Sequence, residues 1–282
     1  MIITVASGKG GTGKTTVAVA LAMSLENVQL LDCDVEEPNA HLFLKPSLTE
    51  QHDACMPVPA VDLSKCTYCG LCAKFCAYHA IAVIPPSSSD KPGTVLVFDH
   101  LCHGCGACVT LCSAGAITER NKAIGTVASG SAGHVRFGNG TLKIGEIMSP
   151  ALIRKVKAMV EAGRTVIIDA PPGTSCPVIA ALRGSDACIL VTEPTPFGLN
   201  DLVLAVETAR ELRIPFGVVI NRSDIGDGAV KEYCEREAIP VLMEIPFSRE
   251  IAASASAGVP LVNAFPHYRD EFRYLYGKIQ KL

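Results

Sequence analysis

The sequence lacks three features that would place it in other classes of protein. Its 282 residues carry 25 basic and 28 acidic side chains, so no basic excess favours nucleic acid. No uninterrupted apolar run reaches the length of a membrane span, and we expect no stable membrane insertion. Met1 to Ala6 contain no basic segment and are expected to form a buried strand rather than a signal peptide. These absences predict a globular, cytoplasmic protein.

Cysteine, in contrast, is unusually frequent, with thirteen residues. In a reducing compartment, clustered cysteines more often bind metal than form disulfides. Eight of them form two runs with the spacing C-x2-C-x2-C-x3-C, and the second run repeats the first at an offset of 36 residues. In two-cluster bacterial ferredoxins the first three cysteines of such a run bind one [4Fe–4S] cluster, and the fourth binds the other. This rule assigns Cys66, Cys69, Cys72 and Cys112 to cluster 1, and Cys102, Cys105, Cys108 and Cys76 to cluster 2.

Zinc is the alternative interpretation of these runs, because paired C-x2-C units also build zinc sites with four cysteine ligands. A third cysteine at the same short spacing, present in both runs, favours two [4Fe–4S] clusters. The usual proline after the fourth cysteine is replaced by Ala77 in the first run and Ser113 in the second. Because the ligands are intact, we expect this departure to affect local rigidity and redox tuning rather than cluster binding.

Alternating strand and helix patterns on both sides of the cysteine runs predict an α/β protein with a mostly parallel sheet and flanking helices. We predict a P-loop ATPase domain at residues 1–60 and 120–282, and an inserted ferredoxin-like α+β domain at 61–119. A linker of proline, serine and glycine is expected at 85–93. Periodicity predicts strands at 28–31, 166–168, 187–191, 216–220 and 241–245, helices at 15–24, 150–162, 199–212 and 228–237, and a hairpin at 125–145.

A glycine-rich loop follows the first strand and leads into a helix. Its glycines allow a tight turn whose N–H groups face a phosphate, and the helix N-terminus adds the positive end of its dipole. Lys14 is placed to reach the β- and γ-phosphates, and the Thr15 hydroxyl is placed to bind Mg²⁺. The loop predicts a nucleotide site with Mg²⁺ as cofactor. Its predicted binding residues are Gly8, Lys9, Gly10, Gly11, Thr12, Gly13, Lys14, Thr15 and Thr16.

Lys9 is a lysine that an ordinary phosphate-binding loop does not need. With it, the loop resembles the deviant Walker A motif of the MinD/ParA/Mrp and nitrogenase iron protein class. The resemblance implies a slow ATPase that forms a nucleotide-dependent homodimer, in which Lys9 reaches the nucleotide of the partner. It covers essentially everything outside the cysteine-rich insert.

Three aspartates at strand ends match further motifs of that class. The LDCD sequence resembles switch I, which implies that Asp34 orients the attacking water and Asp32 helps to hold the magnesium shell. The sequence VIIDAPPG resembles Walker B and switch II, and Asp169 ends a buried strand, where ligands of such folds bind. Asn221 resembles the residue that contacts adenine, or else serves as a turn former. The predicted catalytic residues are Lys9, Lys14, Asp34 and Asp169, and the predicted magnesium ligands are Thr15, Asp32 and Asp169.

Together these features predict an ATP-gated iron–sulfur protein that delivers electrons or clusters to an acceptor protein. One alternative is a scaffold or partitioning-type switch whose clusters serve structure or redox sensing. Another is an amide-forming ligase related to cobyrinate and dethiobiotin synthases, although no substrate site or glutaminase domain is recognisable. The C-terminal apolar stripe of Phe272, Leu275, Ile279 and Leu282 is expected to form a helix that packs on the domain, because acidic residues interrupt its polar face.

Overall fold

The computed structural model of the protein describes residues 1–88 and 91–282; Ser89 and Asp90, in the predicted linker, lie outside the described residues. The strands are β1 (Ile2–Ala6), β2 (Val28–Asp32), β3 (Ser47–Val61), β4 (Ile81–Ile84), β5 (Thr94–Val97), β6 (Ile117–Ala132), β7 (Val135–Leu142), β8 (Thr165–Asp169), β9 (Ala187–Thr192), β10 (Phe216–Asn221) and β11 (Val241–Ile245). The helices are α1 (Lys14–Ser24), α2 (Ala40–Leu44), α3 (Leu71–Lys74), α4 (Ala107–Thr110), α5 (Ser149–Lys157), α6 (Cys176–Leu182), α7 (Pro196–Glu211), α8 (Ala229–Arg236), α9 (Arg249–Ser256), α10 (Leu261–Ala264) and α11 (Tyr268–Ile279).

The described strands form a central sheet in the order β11-β10-β9-β1-β8-β2-β7-β6-β3 and a separate ribbon of β4 and β5. The pairs from β11 to β7 are parallel. Strands β2 and β9 bury every residue, as expected where helices cover both faces of a parallel sheet. The hairpin predicted at 125–145 is present as β6 and β7. The mostly parallel α/β fold with flanking helices is confirmed.

The chain divides into two compact units. Unit 1 comprises Met1–His52, Val127–Thr141 and Ser149–Leu282, and unit 2 comprises Asp53–Thr126 and Leu142–Met148. Unit 2 therefore extends beyond the predicted insert at both ends and takes in a second, short segment. The identification of these units with an ATPase domain and a ferredoxin domain stays a prediction.

The C-terminal helix is part of the core of unit 1. Phe272, Leu275 and Ile279 of α11 are buried, and the helix packs against α1. Burial of one such side chain contributes about 1.5–3 kcal/mol. The expectation that this helix packs on the domain is confirmed, except that Leu282, the last residue of the predicted stripe, follows α11 and is 40% exposed. Among the described residues, no helix combines the length and apolarity needed to span a membrane.

The structure corrects two features of the predicted elements. Helix α5 ends at Lys157 instead of residue 162, because the Gln29 side chain bonds to the Met159 carbonyl and the Glu161 amide at 2.8 and 2.9 Å. Strand β3 was not predicted. It begins with exposed polar residues and contains Pro57 and Pro59, which an edge strand tolerates because its outer N–H groups need no partner.

Unit 2 repeats its backbone as well as its sequence. Helices α3 and α4 are single turns separated by the same 36 residues as the cysteines. Tyr68 has φ of 53° and its counterpart Gly104 has 65°, while His79 has 51° and its counterpart Gly115 has 59°. Left-handed backbone thus occurs at equivalent positions whether or not the residue is glycine.

Candidate functional site

The phosphate-binding loop connects β1 to α1 and depends on its glycines. Gly11 and Gly13 have φ of 81° and 89°, a region that other residues enter at a cost. A Cβ on Gly13 would lie 2.4 Å from the Asn221 amide nitrogen, and a Cβ on Gly8 would lie 2.2 Å from the Asp201 carbonyl oxygen. A side chain is therefore disfavoured at Gly11 and Gly13 by the backbone conformation, and at Gly8 and Gly13 by the lack of space.

Polar side chains from the loop and the strand ends meet behind it. Lys14 Nζ donates to Asp169 Oδ1 at 2.9 Å and lies 3.8 Å from Asp34 Oδ2. The Thr15 hydroxyl donates to Asp169 Oδ2 at 2.6 Å. Asp32 and Asp169 are paired at the ends of β2 and β8, so the parallel register brings both carboxylates to one edge of the sheet. The structure thus brings together five of the predicted site residues.

Burial gives these groups unusual acidities. Burial, the largest single influence, opposes a charge on Lys14, but the attraction and hydrogen bond of Asp169, together with the attraction of Asp34 and Asp32, outweigh it and raise the pKa of the ammonium group. Burial, reinforced by Asp169, raises the pKa of the Asp32 carboxyl to about 8. Burial also raises the pKa of Asp34 to about 6, although Lys14 acts in the opposite direction. The carboxylates therefore lie close enough to disfavour one another's negative charge. A divalent cation such as Mg²⁺ would stabilise that charge.

Asp32 also organises the loop that follows β2. Its Oδ1 accepts from the Asp34 amide at 3.1 Å, and its Oδ2 accepts from the Asn39 and Ala40 amides at 3.0 Å. Backbone bonds to a buried carboxylate fix both partners. Asp32 thereby holds Asp34 at the mouth of the site.

A cavity of about 350 Å³ opens in front of the loop. Its lining includes the polar side chains of Lys14, Thr15 and Asp34 and the apolar rings of Phe43 and Phe247. Such a mixed lining suits a ligand that has both charged and apolar parts. The cavity lies within unit 1.

Asn221 lies in the cavity wall and holds the loop. Its amide nitrogen donates to the Thr12 carbonyl at 2.8 Å, and its Oδ1 accepts from the Arg222 amide at 3.0 Å. The contact with adenine stays a prediction, while the positioning of the phosphate loop is a geometric feature of the structure.

Sequence reasoning missed Glu193, which lies next to Lys9. Lys9 Nζ is 3.8 Å from Glu193 Oε2, and Arg222 Nη1 is 2.8 Å from Glu193 Oε1. Glu193 is only 7% exposed. Its position could have revealed it in the sequence, because Glu193 directly follows the buried strand β9, much as Asp32 and Asp169 end β2 and β8.

The eight cysteines of the two runs line two cavities in the predicted combination. One cavity is lined by Cys66, Cys69, Cys72 and Cys112. The other is lined by Cys76, Cys102, Cys105 and Cys108, and Cys72 reaches it as well. In each cavity, one cysteine of the predicted set comes from the opposite run.

Backbone amides approach the sulfurs in the same way in both runs. The Tyr68 and Gly104 amides donate to the Sγ atoms of Cys66 and Cys102, in each case at 3.4 Å. The fourth cysteines, Cys76 and Cys112, accept from amides four residues later, in each case at 3.3 Å. Amide–sulfur bonds of this kind stabilise thiolates and tune the potential of clusters that they hold.

Burial raises the pKa of the Cys102 thiol, with neighbouring Cys105 and Cys76 adding to the effect. Burial also raises the pKa of the Cys72 and Cys108 thiols. Binding a metal there must release protons, because the thiolate is the ligand. Among residues 1–88 and 91–282, no three His, Cys, Asp or Glu side chains are placed to hold one metal ion.

A family comparison covers nearly the whole chain. The profile of the CobQ/CobB/MinD/ParA nucleotide binding domain matches residues 3–261. The chain belongs to this family. Membership agrees with the phosphate loop, the aspartates at the strand ends and the parallel sheet.

Known proteins resemble the chain along most of its length. An uncharacterised protein of Methanocaldococcus jannaschii is 32% identical over 239 residues, which cover 80% of this chain and 82% of that protein. The iron-sulfur cluster carrier protein of Pyrococcus horikoshii is 25% identical over 281 residues, covering 92% and 78%. In fold, the chain is similar to the septum site-determining protein MinD of Pyrococcus horikoshii, solved with Mg-ADP, with a TM-score of 0.59, 19% identity and coverage of 99% and 96%.

Proposed function

We propose that this protein is an ATP-dependent iron–sulfur protein, in which nucleotide binding and slow hydrolysis control the delivery of clusters or electrons to an acceptor protein. The observation that carries the proposal is the presence, in one chain, of a phosphate-loop cavity and two cavities each lined by cysteines from both runs. Neither feature alone distinguishes a carrier from a simple ATPase or a simple ferredoxin.

The nucleotide half of the proposal rests on the residues behind the phosphate loop. Lys14 contacts Asp169 at 2.9 Å and lines the cavity, where it is placed to neutralise phosphate charge. The oxygen donors of Thr15 and Asp169, 2.6 Å apart, fit the preference of Mg²⁺ for hard oxygen ligands. Asp34, held by the Asp32 network, is the group proposed to orient water. Phosphoryl transfer requires mainly such positioning and charge neutralisation.

The cluster half rests on the sulfur donors of unit 2. All eight ligands are cysteines, and soft thiolates suit iron–sulfur clusters. The crossed lining of the two cavities supports the assignment of Cys112 to the cluster of Cys66, Cys69 and Cys72, and of Cys76 to the other. When bound, [4Fe–4S] clusters supply one-electron transfer or serve as cargo. The residues of the chain provide thiolates and amide donors around them.

Cluster delivery is favoured over pure electron delivery by the relatives. Three Pyrococcus proteins that carry the name iron-sulfur cluster carrier protein match 92% of the chain at 25% identity. The MinD-like fold supports a nucleotide-dependent homodimer, in which Lys9 contacts the nucleotide of the partner.

The test compares nucleotide states of the reconstituted full chain. Under anaerobic conditions the protein should hold about eight iron atoms, and transfer to an apo-ferredoxin should differ between ADP and a non-hydrolysable ATP analogue. Asp34→Ala should bind ATP normally and hydrolyse it at least about tenfold more slowly, since positioning of water is lost. Glu244→Gln, a change in a surface ion pair of β11, is the matched control.

Two outcomes would contradict the proposal. Zinc without iron after anaerobic preparation would remove the cluster half. Redox potentials and transfer rates that are the same in both nucleotide states would leave the scaffold function as the better explanation.

A further inference from the structure

Glu193 is the buried acid nearest to the additional lysine of the phosphate loop. Its carboxylate faces two cations, Lys9 at 3.8 Å and Arg222 at 2.8 Å. The Glu193 side chain is 9% exposed, whereas those of Lys9 and Arg222 are 31% and 43% exposed. One buried anion therefore serves two cations that can move into solvent.

The backbone fixes Glu193 in place. Its carbonyl accepts from the Thr195 amide at 2.8 Å, and the Thr195 hydroxyl accepts from the Gly198 amide at 3.0 Å. A Cβ on Gly198 would lie 2.2 Å from the Glu193 carbonyl oxygen, so α7 begins in tight contact with this turn. The carboxylate is thus a preorganised feature at the end of β9 rather than a mobile surface acid.

The two ion pairs differ in strength. Lys9 lies beyond hydrogen-bond distance of Oε2, and a partly exposed pair of this kind is worth little. Arg222 is closer to Oε1, although that oxygen accepts no aligned hydrogen bond from the described residues and the contact is ionic. If Lys9 leaves, Arg222 still compensates the buried charge, which avoids the large penalty of an unpaired buried carboxylate.

We propose that Glu193 is a positioning residue that holds Lys9 within its own subunit and competes with the use of Lys9 at the nucleotide of a partner subunit. Arg222 makes the hold reversible. The inference rests on the proposed nucleotide-dependent homodimer. It adds that Glu193 weakens the affinity of the two subunits for each other. Nucleotide-driven dimerisation then requires the exchange of one anion, Glu193, for another, the phosphates of the partner's nucleotide.

The first arm of the test needs no nucleotide and no dimer. In the nucleotide-free full chain, acetylation of Lys9 by an N-hydroxysuccinimide ester is followed by mass spectrometry. Glu193→Gln should raise the Lys9 labelling rate about threefold, as expected for loss of a weak ion pair. Arg222→Gln should lower it, because Glu193 then has Lys9 alone. Glu244→Gln, which breaks the pair with Lys231, should raise labelling of Lys231 and leave Lys9 unchanged.

The second arm measures the dimer by sedimentation with Mg²⁺ and a non-hydrolysable ATP analogue. A symmetric dimer uses Lys9 twice, so Glu193→Gln should tighten it by about tenfold. A merely structural role for Glu193 predicts weaker dimerisation instead. In the Lys9→Ala background, Glu193→Gln should have no effect, because the competitor is absent.

The outcomes separate the hold on Lys9 from the proposed function. Unchanged Lys9 labelling in Glu193→Gln, with a wild type that dimerises, overturns the role of Glu193 alone. Tightening that persists in the Lys9→Ala background also overturns it, because the effect then bypasses Lys9. A wild type that stays monomeric with the analogue overturns the dimeric function, and the competition with it.

Discussion

The two units hold their chemistry in opposite ways. Unit 1 places Lys14 at the start of α1 and Asp169 at the end of the buried strand β8, and the Asp32 carboxylate is fixed by bonds from backbone amides. In unit 2 the cysteines of the two runs lie on single-turn helices and loops, and α3 and α4 contain no buried residue. We therefore expect this small unit, whose cysteine-bearing helices add no buried residue to a core, to depend on metal or cross-links for part of its stability. The fold thus positions the side chains of the nucleotide site, whereas we expect the cysteine unit to depend on the clusters proposed for it.

The largest effect should follow removal of iron. Anaerobic chelation of the reconstituted chain should unfold unit 2, because metal binding and folding are one equilibrium in such units. Hydrogen exchange should show at least about hundredfold faster exchange around α3 and α4, with α1 unchanged. Equal protection of both units after chelation would contradict this difference between them.

A smaller effect, confined to half of unit 2, is expected from Cys112→Ser. The cavity lining predicts damage to the cluster of Cys66, Cys69 and Cys72, and loss of about four irons. Electron paramagnetic resonance and iron analysis provide the measurement. Cys76→Ser is the matched variant and should damage the other cluster. Damage by Cys112→Ser restricted to the cluster of its own run would rule out the crossed arrangement.

Unit 1 should respond to Lys14→Ala without loss of its fold. Removal of the phosphate-facing charge should weaken ATP binding about hundredfold, the scale of a strong charge-assisted contact. Titration calorimetry checks the affinity, and iron content should stay unchanged. Lys231→Ala, at an exposed lysine of α8, should leave the affinity at the wild-type value. Normal ATP binding by the Lys14 variant would remove the nucleotide assignment.

The smallest effect is expected at a cysteine of unit 1. Cys188 is fully buried in β9, and burial raises the pKa of its thiol well above the usual range. Cys188→Ala should lower the free energy of unfolding by about 1 kcal/mol, through lost packing, and leave iron content unchanged. Chemical denaturation and iron analysis would show both. Loss of iron in this variant would mean that cysteine chemistry is not confined to unit 2.

The sequence predicted what strong local patterns encode. The β1–loop–α1–β2 opening and the aspartates at the ends of β2 and β8 follow from apolar strands and glycine signals, and the structure places them as expected. Strand β3 was not predicted because about half of its residues are exposed to solvent. An edge strand can pair without a periodic apolar face, which is the pattern that predicts strands. The end of α5 was missed because Gln29, 130 residues away in sequence, donates to the carbonyl of Met159, two residues after the helix ends. Glu193 was missed because its partners come from two distant loops.

The two halves of unit 2 allow a direct comparison of different residues in the same backbone conformation. His79 and Gly115 occupy equivalent positions and both have a left-handed φ, which glycine adopts without cost. A non-glycine residue in that region costs on the order of 1 kcal/mol. The first half therefore carries a strain that the second half avoids. As metal is withdrawn, the half that begins with Cys66 should lose its shape before the half that begins with Cys102.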